Sequence, residues 1–249
     1  MYYTLKEPII ADVYEGEYPI RYDPMYRIIF KASGKFKDGY IRKDLKVEEY
    51  VAQAKAKGQL FGLYHFYMFH DVKRQFDTLM SVVDKTGMGD MPITLDVEAG
   101  DPNAYGVSRK TYGEQVKVFL DLIEGQTHHK PIIYTGIYYW QYVDYTGWNP
   151  AEYPLWTALY PRPKTYIDST TDPYPLPKGW YEWSMWQYTD SGRTDGFQLN
   201  DYDTATDKFK SYLDTTFGGA TAGTSFEPVN ISYQRGGVNT IKKFKPQGA

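Results

Sequence analysis

Cysteine is absent from this chain of 249 residues. Its absence excludes disulfide cross-links, thiol nucleophiles and cysteine-ligated metal sites. The sequence also lacks an apolar run of about 18 residues, the length that a membrane-spanning helix requires, so no insertion into a membrane is expected. The first residues show neither the basic segment nor the apolar stretch of a secretory signal. The expectation from sequence is a protein made in the cytoplasm without a signal peptide.

Patterns that bind nucleic acid, metals or phosphates are missing too. The net charge is −3 and the basic residues are scattered, so no nucleic-acid partner is expected. The four histidines, His65, His70, His128 and His129, lack the spacing of a metal site. No glycine-rich phosphate loop occurs either. We therefore expect no metal and no cofactor.

Tyrosine is abundant, with 26 residues in an aromatic content of 18%. Tyrosine and tryptophan combine an apolar face with a polar edge, which suits stacking on sugar rings and hydrogen bonding to hydroxyl groups. The alternative is that many tyrosines sit at the half-buried surfaces of strands and helices. Composition alone leaves both interpretations open.

The order of elements predicts an α/β protein. Seven short apolar, β-branched or aromatic runs are typical of strands: 8–14, 27–33, 60–67, 91–98, 131–136, 154–160 and 183–188. Residues 45–57, 72–83 and 112–123 place apolar side chains at helical spacing. Alternating strands and helices favour parallel pairing and a closed (β/α) barrel. Because residues 150–171 leave little room for helices, we expect a distorted TIM-like barrel.

The amino-acid composition of the chain changes after Asp214. Residues 215–225 are mostly threonine, glycine, alanine and serine, which is typical of a linker. The tail beyond them carries Lys242, Lys243 and Lys245 and is too short for a core of its own. We therefore predict one barrel domain over residues 1–216 and a linker-like, basic C-terminal tail over residues 217–249.

Two acidic residues share one face of the strand predicted at 91–98. Alternation sends Leu95 and Val97 to one side and Asp96 and Glu98 to the other. The two carboxylates would lie about 6.6 Å apart along the strand, close enough to act on one sugar. Their charges should raise at least one pKa, which yields the protonated acid and ionised partner that glycoside hydrolysis requires. The alternative is an exposed pair at the end of a strand.

Position supports the chemical interpretation, because barrel active sites gather at the carboxyl ends of the strands. Polar and aromatic residues occupy these ends: Asp12 and Tyr14, Lys31 and Ser33, Tyr64 and His65, Asp96 and Glu98, Tyr134 and Thr135, Tyr160, and Gln187 and Tyr188. If these side chains served only to pack the core, polar and aromatic residues would not be concentrated at the strand ends.

These segments resemble the lysozymes of glycoside hydrolase family 25, the N-acetylmuramidases common among phage endolysins and bacterial autolysins. The matching blocks, in the family's order, are IADV at 10–13, FKAS at 30–33, GLYHF at 62–66, LDVE at 95–98, PIIYT at 131–135, LWTALY at 155–160 and WQYTDSG at 186–192. The resemblance covers residues 8–210 approximately and implies a peptidoglycan hydrolase. Without a signal peptide, such an enzyme would reach the wall by phage-mediated release or as part of a virion. The expected use of the tail is docking to the virion or the wall.

The resemblance also implies roles for individual residues. Glu98 is expected to donate the proton and Asp96 to stabilise or orient the sugar, with Asp12 and a last aspartate, Asp203 or alternatively Asp201, completing the acidic floor. The expected sugar-binding residues are Lys31, Tyr64, Tyr134, Trp156, Tyr160 and Trp186. The sequence departs from the family pattern at Tyr14, at Ser33-Gly34-Lys35 and at Ala205. These positions are expected at the rim of the site, so the departures should affect substrate preference before activity.

Two other functions compete with this one. A glycan-binding structural component of a virion would keep the barrel without turnover, but the intact Asp12, Asp96 and Glu98 argue against it. A chitinase would show the longer strand motif D-x-x-D-x-D-x-E, whereas this chain has Met91 and Thr94 at the two earlier positions.

Overall fold

Strands and helices alternate along most of the chain. The computed structural model describes residues 2–4, 9–17, 20, 25–36, 39–160, 172–190, 193–194, 197–198, 201–218 and 230–232. The strands are β1 (Tyr2–Thr4), β2 (Ile9–Val13), β3 (Met25–Lys35), β4 (Ile41–Lys43), β5 (Phe61–Phe66), β6 (Thr94–Asp96), β7 (Ile132–Gly136), β8 (Leu155–Ala158), β9 (Met185–Thr189), β10 (Arg193–Thr194), β11 (Phe197–Gln198), β12 (Asp201–Ala205) and β13 (Asn230–Ser232). The α-helices are α1 (Val47–Ala56), α2 (Val72–Thr86), α3 (Arg109–Thr127), α4 (Ile137–Trp140) and α5 (Asp207–Phe217), with short 3-10 turns at Pro102–Tyr105 and Pro150–Glu152.

Eight strands close into a barrel in the order β2, β3, β5, β6, β7, β8, β9 and β12, which pairs back with β2. All neighbouring pairs are parallel except those of β12, which runs antiparallel to both β9 and β2. The expected distorted barrel is confirmed. The antiparallel last strand departs from the expectation of parallel pairing, because the short connection from Thr189 to Asp201 cannot hold a crossover helix.

Period-two alternation sorts the strand side chains into two cores. Ile10, Ile29, Ile132 and Met185 form an inner cluster with residues of α5. Their sequence neighbours on the same strands form the larger cluster under the outer helices. A one-step shift along a strand therefore moves a side chain from the barrel interior to the layer beneath the helices.

The first three helices match the predicted segments, and α2 and α3 begin at side-chain N-caps. The side chain of Asp71 accepts a hydrogen bond from Arg74 N at 3.1 Å, and that of Ser108 from Thr111 N at 3.0 Å, so both act as N-caps. Later units are short: α4 is a single turn, and the described residues between β8 and β9 contain no helix. None of the described helices is long and apolar enough to cross a membrane.

The first residues of the stretch predicted as a linker are helical. Helix α5 continues to Phe217, whose ring contacts that of His129 at 4.7 Å, so residues 215–217 belong to a packed helix. Threonine is a weak but acceptable helix former when one face of the helix is buried. Gly218 ends this part of the chain, and residues 219–229 and 233–249 lie outside the described residues. Strand β13, within the predicted tail, pairs with β1.

Candidate active site

A cavity of about 520 Å³ opens at the carboxyl ends of the barrel strands. It brings together most of the residues expected to form the site. Its lining is Asp12, Tyr14, Lys31, Lys35, Phe36, Tyr64, Phe66, Asp96, Glu98, Tyr134, Trp156, Tyr160, Gln187 and Asp190. These residues come from distant parts of the sequence, and the barrel alone makes them neighbours.

Asp96 and Glu98 both line this cavity, as the alternation on their strand predicts. Leu95 and Val97 are buried in the outer core, which fixes the opposite orientation of the two acids. The backbone on both sides is held by neighbouring strands, because Tyr67 N donates to Asp96 O and Val97 N donates to Tyr134 O, each at 2.9 Å. Asp96 is 4% exposed, and within the described part of the chain its Oδ1 meets no hydrogen-bond partner.

Burial and like charge raise the pKa of both acids. Removal from water raises the pKa of Glu98 from 4.5 to about 7, the charge of Asp12 adds to the rise, and the ammonium of Lys31 opposes it. Burial also raises the pKa of Asp96 well above its ordinary value, with Glu98 the next contribution. The pair therefore holds a proton near neutral pH, as expected for two close carboxyl groups in a shielded site. Both directions agree with the expectation that at least one of the two pKa values is raised.

Lys31 supplies a buried positive charge beside the acids. It is 8% exposed, and its Nζ donates to Lys35 O at 2.9 Å while lying 4.4 Å from the ring centre of Phe36. Burial lowers the pKa of Lys31, and the charges of Asp96 and Asp44 raise it. The cavity lining holds two lysines, Lys31 and Lys35, against the four acidic side chains of Asp12, Asp96, Glu98 and Asp190, so acidic groups are in excess.

Aromatic rings form one wall of the cavity. The rings of Tyr134 and Trp156 meet edge to face at 4.7 Å, and Tyr64 and Tyr160 also line the cavity. Trp156 Nε1 donates to Asp203 Oδ1 at 2.6 Å. Asp203 itself is fully buried and does not line the cavity, so its contact with the site runs through this indole.

The alternative last aspartate and one expected sugar-binding residue are placed differently. Asp201 pairs through its backbone with Asp12, while its side chain lies outside the described residues. Trp186 does not line the cavity. It is 2% exposed in the outer core, and its Nε1 donates to Leu159 O at 2.8 Å. The reason is alternation, since its neighbours Met185 and Gln187 occupy the inward face of β9.

Sequence reasoning named Gln187 as a strand-end residue but did not assign it to the site. The structure places its side chain, 3% exposed, among three polar partners in the cavity. Period two, counted from the buried Met185, would have identified its inward direction. Tyr14, Lys35, Phe36, Phe66 and Asp190 also line the cavity and were missed as site residues.

The histidines take no part in this cavity. His65 is fully buried, with Nδ1 at 2.8 Å from Ser33 Oγ and Nε2 at 3.2 Å from Gln75 Oε1. Burial lowers the pKa of His65 from 6.5 to about 3, so this ring is neutral at physiological pH. Within the described ranges, no group of three or more histidine or acidic side chains is arranged to hold a metal ion.

A closed barrel with coupled carboxyl groups at the carboxyl ends of its strands defines the glycoside hydrolase class of site. Residues 12–197 match the model of the family described as "Glycosyl hydrolases family 25". The chain belongs to this family.

The chain is also similar in sequence to a protein of Escherichia coli. YegX of Escherichia coli (strain K12), described as an uncharacterized protein, is 26% identical over 166 residues, which are 65% of this chain and 54% of YegX. The chain spans about half the length of the curated relatives it matches.

Solved structures show the same architecture. The spore cortex lytic enzyme SleM of Clostridium perfringens is 25% identical, with a TM-score of 0.68 over 82% of this chain and 68% of SleM. The lysozyme of Streptomyces coelicolor, 22% identical, has a TM-score of 0.64 over 86% of this chain and 98% of that enzyme. At this level of identity, the similarity to the Streptomyces coelicolor lysozyme shows a shared fold.

Proposed function

We propose that this chain is a muramidase that hydrolyses the β-1,4 bond between N-acetylmuramic acid and N-acetylglucosamine in bacterial peptidoglycan. The observation that carries the proposal is the coupled pair of Asp96 and Glu98 in an aromatic-walled cavity, on a chain of glycosyl hydrolases family 25. A buried acid with a pKa near 7 is the group that protonates a leaving sugar oxygen at neutral pH.

Glu98 is the proton donor in this proposal. Both acids have raised pKa values, so they share a proton, and the more exposed of the two can reach a glycosidic oxygen in the cavity. Glu98 is partly exposed, whereas Asp96 is buried. As the glycosidic bond breaks, the proton of Glu98 moves to the departing oxygen and a water molecule finally supplies the hydroxyl at the anomeric carbon.

Asp96 acts on the charge that develops on the sugar. Positive charge builds at the anomeric carbon in the transition state, and a nearby ionised carboxylate stabilises it. N-acetylmuramic acid also carries a 2-acetamido group, and in this proposal Asp96 orients that group for attack on the anomeric carbon. Asp12 and Lys31 set the balance of charge around this pair, because both contribute to the pKa of Glu98.

The aromatic wall binds the glycan. Tyr64, Tyr134, Trp156 and Tyr160 line the cavity that holds the acids. Sugar rings stack on aromatic faces while their hydroxyl groups bond to polar edges. Tyr14 and Asp190 also line the cavity and add polar groups to it.

The biological setting is the finer part of the proposal. The motif blocks are those of phage endolysins and bacterial autolysins, and a phage lysin or virion-associated enzyme is the setting we propose. Residues 217–249 would then dock the barrel to the virion or the wall. The second candidate is a glycan-binding virion component with weakened turnover, which would use the same aromatic wall.

Purified cell walls distinguish the two candidates. The enzyme should clear a suspension of peptidoglycan and release soluble fragments, and it should leave a matched suspension of chitin intact. Glu98→Gln provides the control, because it keeps the wall of the cavity and removes the proton donor. A protein that pellets with peptidoglycan but releases nothing, at a level equal to Glu98→Gln, would favour the binding component.

A further inference from the structure

The side chain of Gln187 is a junction between the acidic floor of the cavity and its aromatic wall. Its Nε2 donates to Asp12 Oδ2 at 2.8 Å. Its Oε1 accepts from Tyr134 OH at 2.7 Å and from Tyr160 OH at 2.6 Å. One amide thus connects residues of β2, of β7 and of the segment after β8.

The chemistry of the partners fixes the direction of this amide. An ionised carboxylate only accepts hydrogen bonds, so the NH2 group of Gln187 must face Asp12. The carbonyl oxygen then faces the two phenols, which both donate to it. If the amide were reversed, its carbonyl oxygen would face the Asp12 carboxylate, and two hydrogen-bond acceptors would lie against each other. A hydrogen bond donated to a carboxylate stabilises its charged form, so the Gln187 amide favours the ionised form of Asp12.

We propose that Gln187 is a positioning residue that holds Asp12 as an ionised acceptor beside Glu98. The same amide links Asp12 to Tyr134 and Tyr160 of the sugar-binding wall. The inference deepens the proposed function and rests on it for its catalytic meaning. Gln187 acts through Asp12, whose negative charge favours the protonated form of Glu98. A neutral side chain in this position thereby helps to keep the proton donor loaded at neutral pH.

Other charged and titratable groups face the same space and set the background for this effect. They are Lys31 and Lys35 of β3, Asp96 of β6, Tyr134 of β7, Tyr139 of α4, Tyr160 after β8, Asp190 after β9 and Tyr14 after β2. Asp203 of β12 lies outside the cavity and contacts Trp156. Burial is the largest cause of the raised pKa of Glu98, Asp12 is the second, and Lys31 lowers it. Weakening the hold on Asp12 should therefore lower the pKa of Glu98 without returning it to its ordinary value.

The test is a carbon-detected NMR titration of Glu98 in protein labelled at the glutamate carboxyl groups. The signal of Glu98 is assigned by its absence from Glu98→Gln. In Gln187→Met, which removes the amide at similar size, the midpoint of Glu98 should fall by about half a pH unit or more. The basic limb of the rate profile with peptidoglycan should move the same way. The control is Gln75→Met, which removes another buried glutamine that lies outside the cavity. This variant should be less stable than the wild type, but the midpoint of the Glu98 titration should not change.

A second variant tests the sign of the effect. Gln187→Glu places another carboxyl group beside Asp12, so that side of the cavity keeps at least one negative charge, and the Glu98 midpoint should stay at or above the wild-type value. An unmoved or raised midpoint in Gln187→Met would overturn the proposal. If Gln187→Met does not fold, a lowered midpoint in Gln187→Glu would overturn it instead. The titration needs no turnover, so a wild-type protein that fails to cleave peptidoglycan refutes the proposed function alone.

Discussion

Replacing Glu98 by glutamine should impair catalysis and stabilise the fold at the same time. The amide keeps the shape of the side chain but cannot deliver a proton, so the rate should fall by about a hundredfold to ten-thousandfold. The gain in stability follows from the pKa of Glu98, which burial raises from 4.5 to about 7. Ionising this group in the folded protein is unfavourable, and a neutral amide removes that penalty.

The sign of the stability effect depends on pH. Below pH 4.5 the acid is protonated in both folded and unfolded chains, so the variant and the wild type should be equally stable. Between pH 4.5 and 7 the unfolded chain ionises first, which destabilises the wild type progressively. Above pH 7 the advantage of Glu98→Gln should level off at about 3 kcal/mol as an upper bound, from about 1.36 kcal/mol per pKa unit.

Denaturant unfolding at pH 4 and pH 8, together with cleavage of peptidoglycan at pH 6, measures both effects. Glu114→Gln is the matched control, because its carboxylate lies on the exposed face of α3, 3.9 Å from Lys110 Nζ, and should change stability by less than about 0.5 kcal/mol. Near-normal cleavage by Glu98→Gln would show that another group is the proton donor. Equal stability of variant and wild type at pH 8 would refute the raised pKa.

Further expectations concern the wall, the core and the tail. Tyr64→Ala should reduce kcat/KM by about tenfold through lost stacking, with little change in Tm; full activity would remove this ring from the site. Trp186→Ala should lower the free energy of unfolding by about 3–5 kcal/mol, since the indole is buried, while KM of the folded protein stays constant; a raised KM would return it to the site. A chain ending at Gly218 should still cleave soluble glycan fragments, and a folded but inactive truncation would assign the tail to the catalytic unit. The free energy of unfolding should fall by about 5 kcal/mol at most from pH 6.5 towards pH 3, because His65 takes up a proton in the unfolded chain while its pKa in the folded protein is about 3. His65→Gln should lose this pH dependence, and His128→Gln should keep it.

Much of the barrel could be predicted because its signals are local. The seven predicted strands all occur, and alternation alone placed Asp96 and Glu98 opposite Leu95 and Val97. Clustering of polar residues at strand ends then located the cavity. These features depend on backbone geometry that every strand shares, so sequence patterns report them directly.

The remaining features depend on which distant segments meet. Trp186 and Gln187 are adjacent in sequence, yet one packs under the helices and the other joins the cavity. The direction of β12 follows from a connection too short for a crossover, and the burial of Asp203 follows from the position of the Trp156 indole. Alternation along β9 accounts for the first of these differences, whereas the direction of β12 and the contact of Asp203 with Trp156 are decided by partners on other strands.

The identity of the new reducing sugar tests the central claim most directly. Purified peptidoglycan is digested to completion, the fragments are reduced with borohydride, and the reduced sugar is identified by mass spectrometry after acid hydrolysis. A muramidase leaves N-acetylmuramic acid at the new reducing end, so reduced muramic acid should accumulate with wild-type protein and not with Glu98→Gln. Reduced glucosamine in its place, or no new reducing end above the level of Glu98→Gln, would contradict the account.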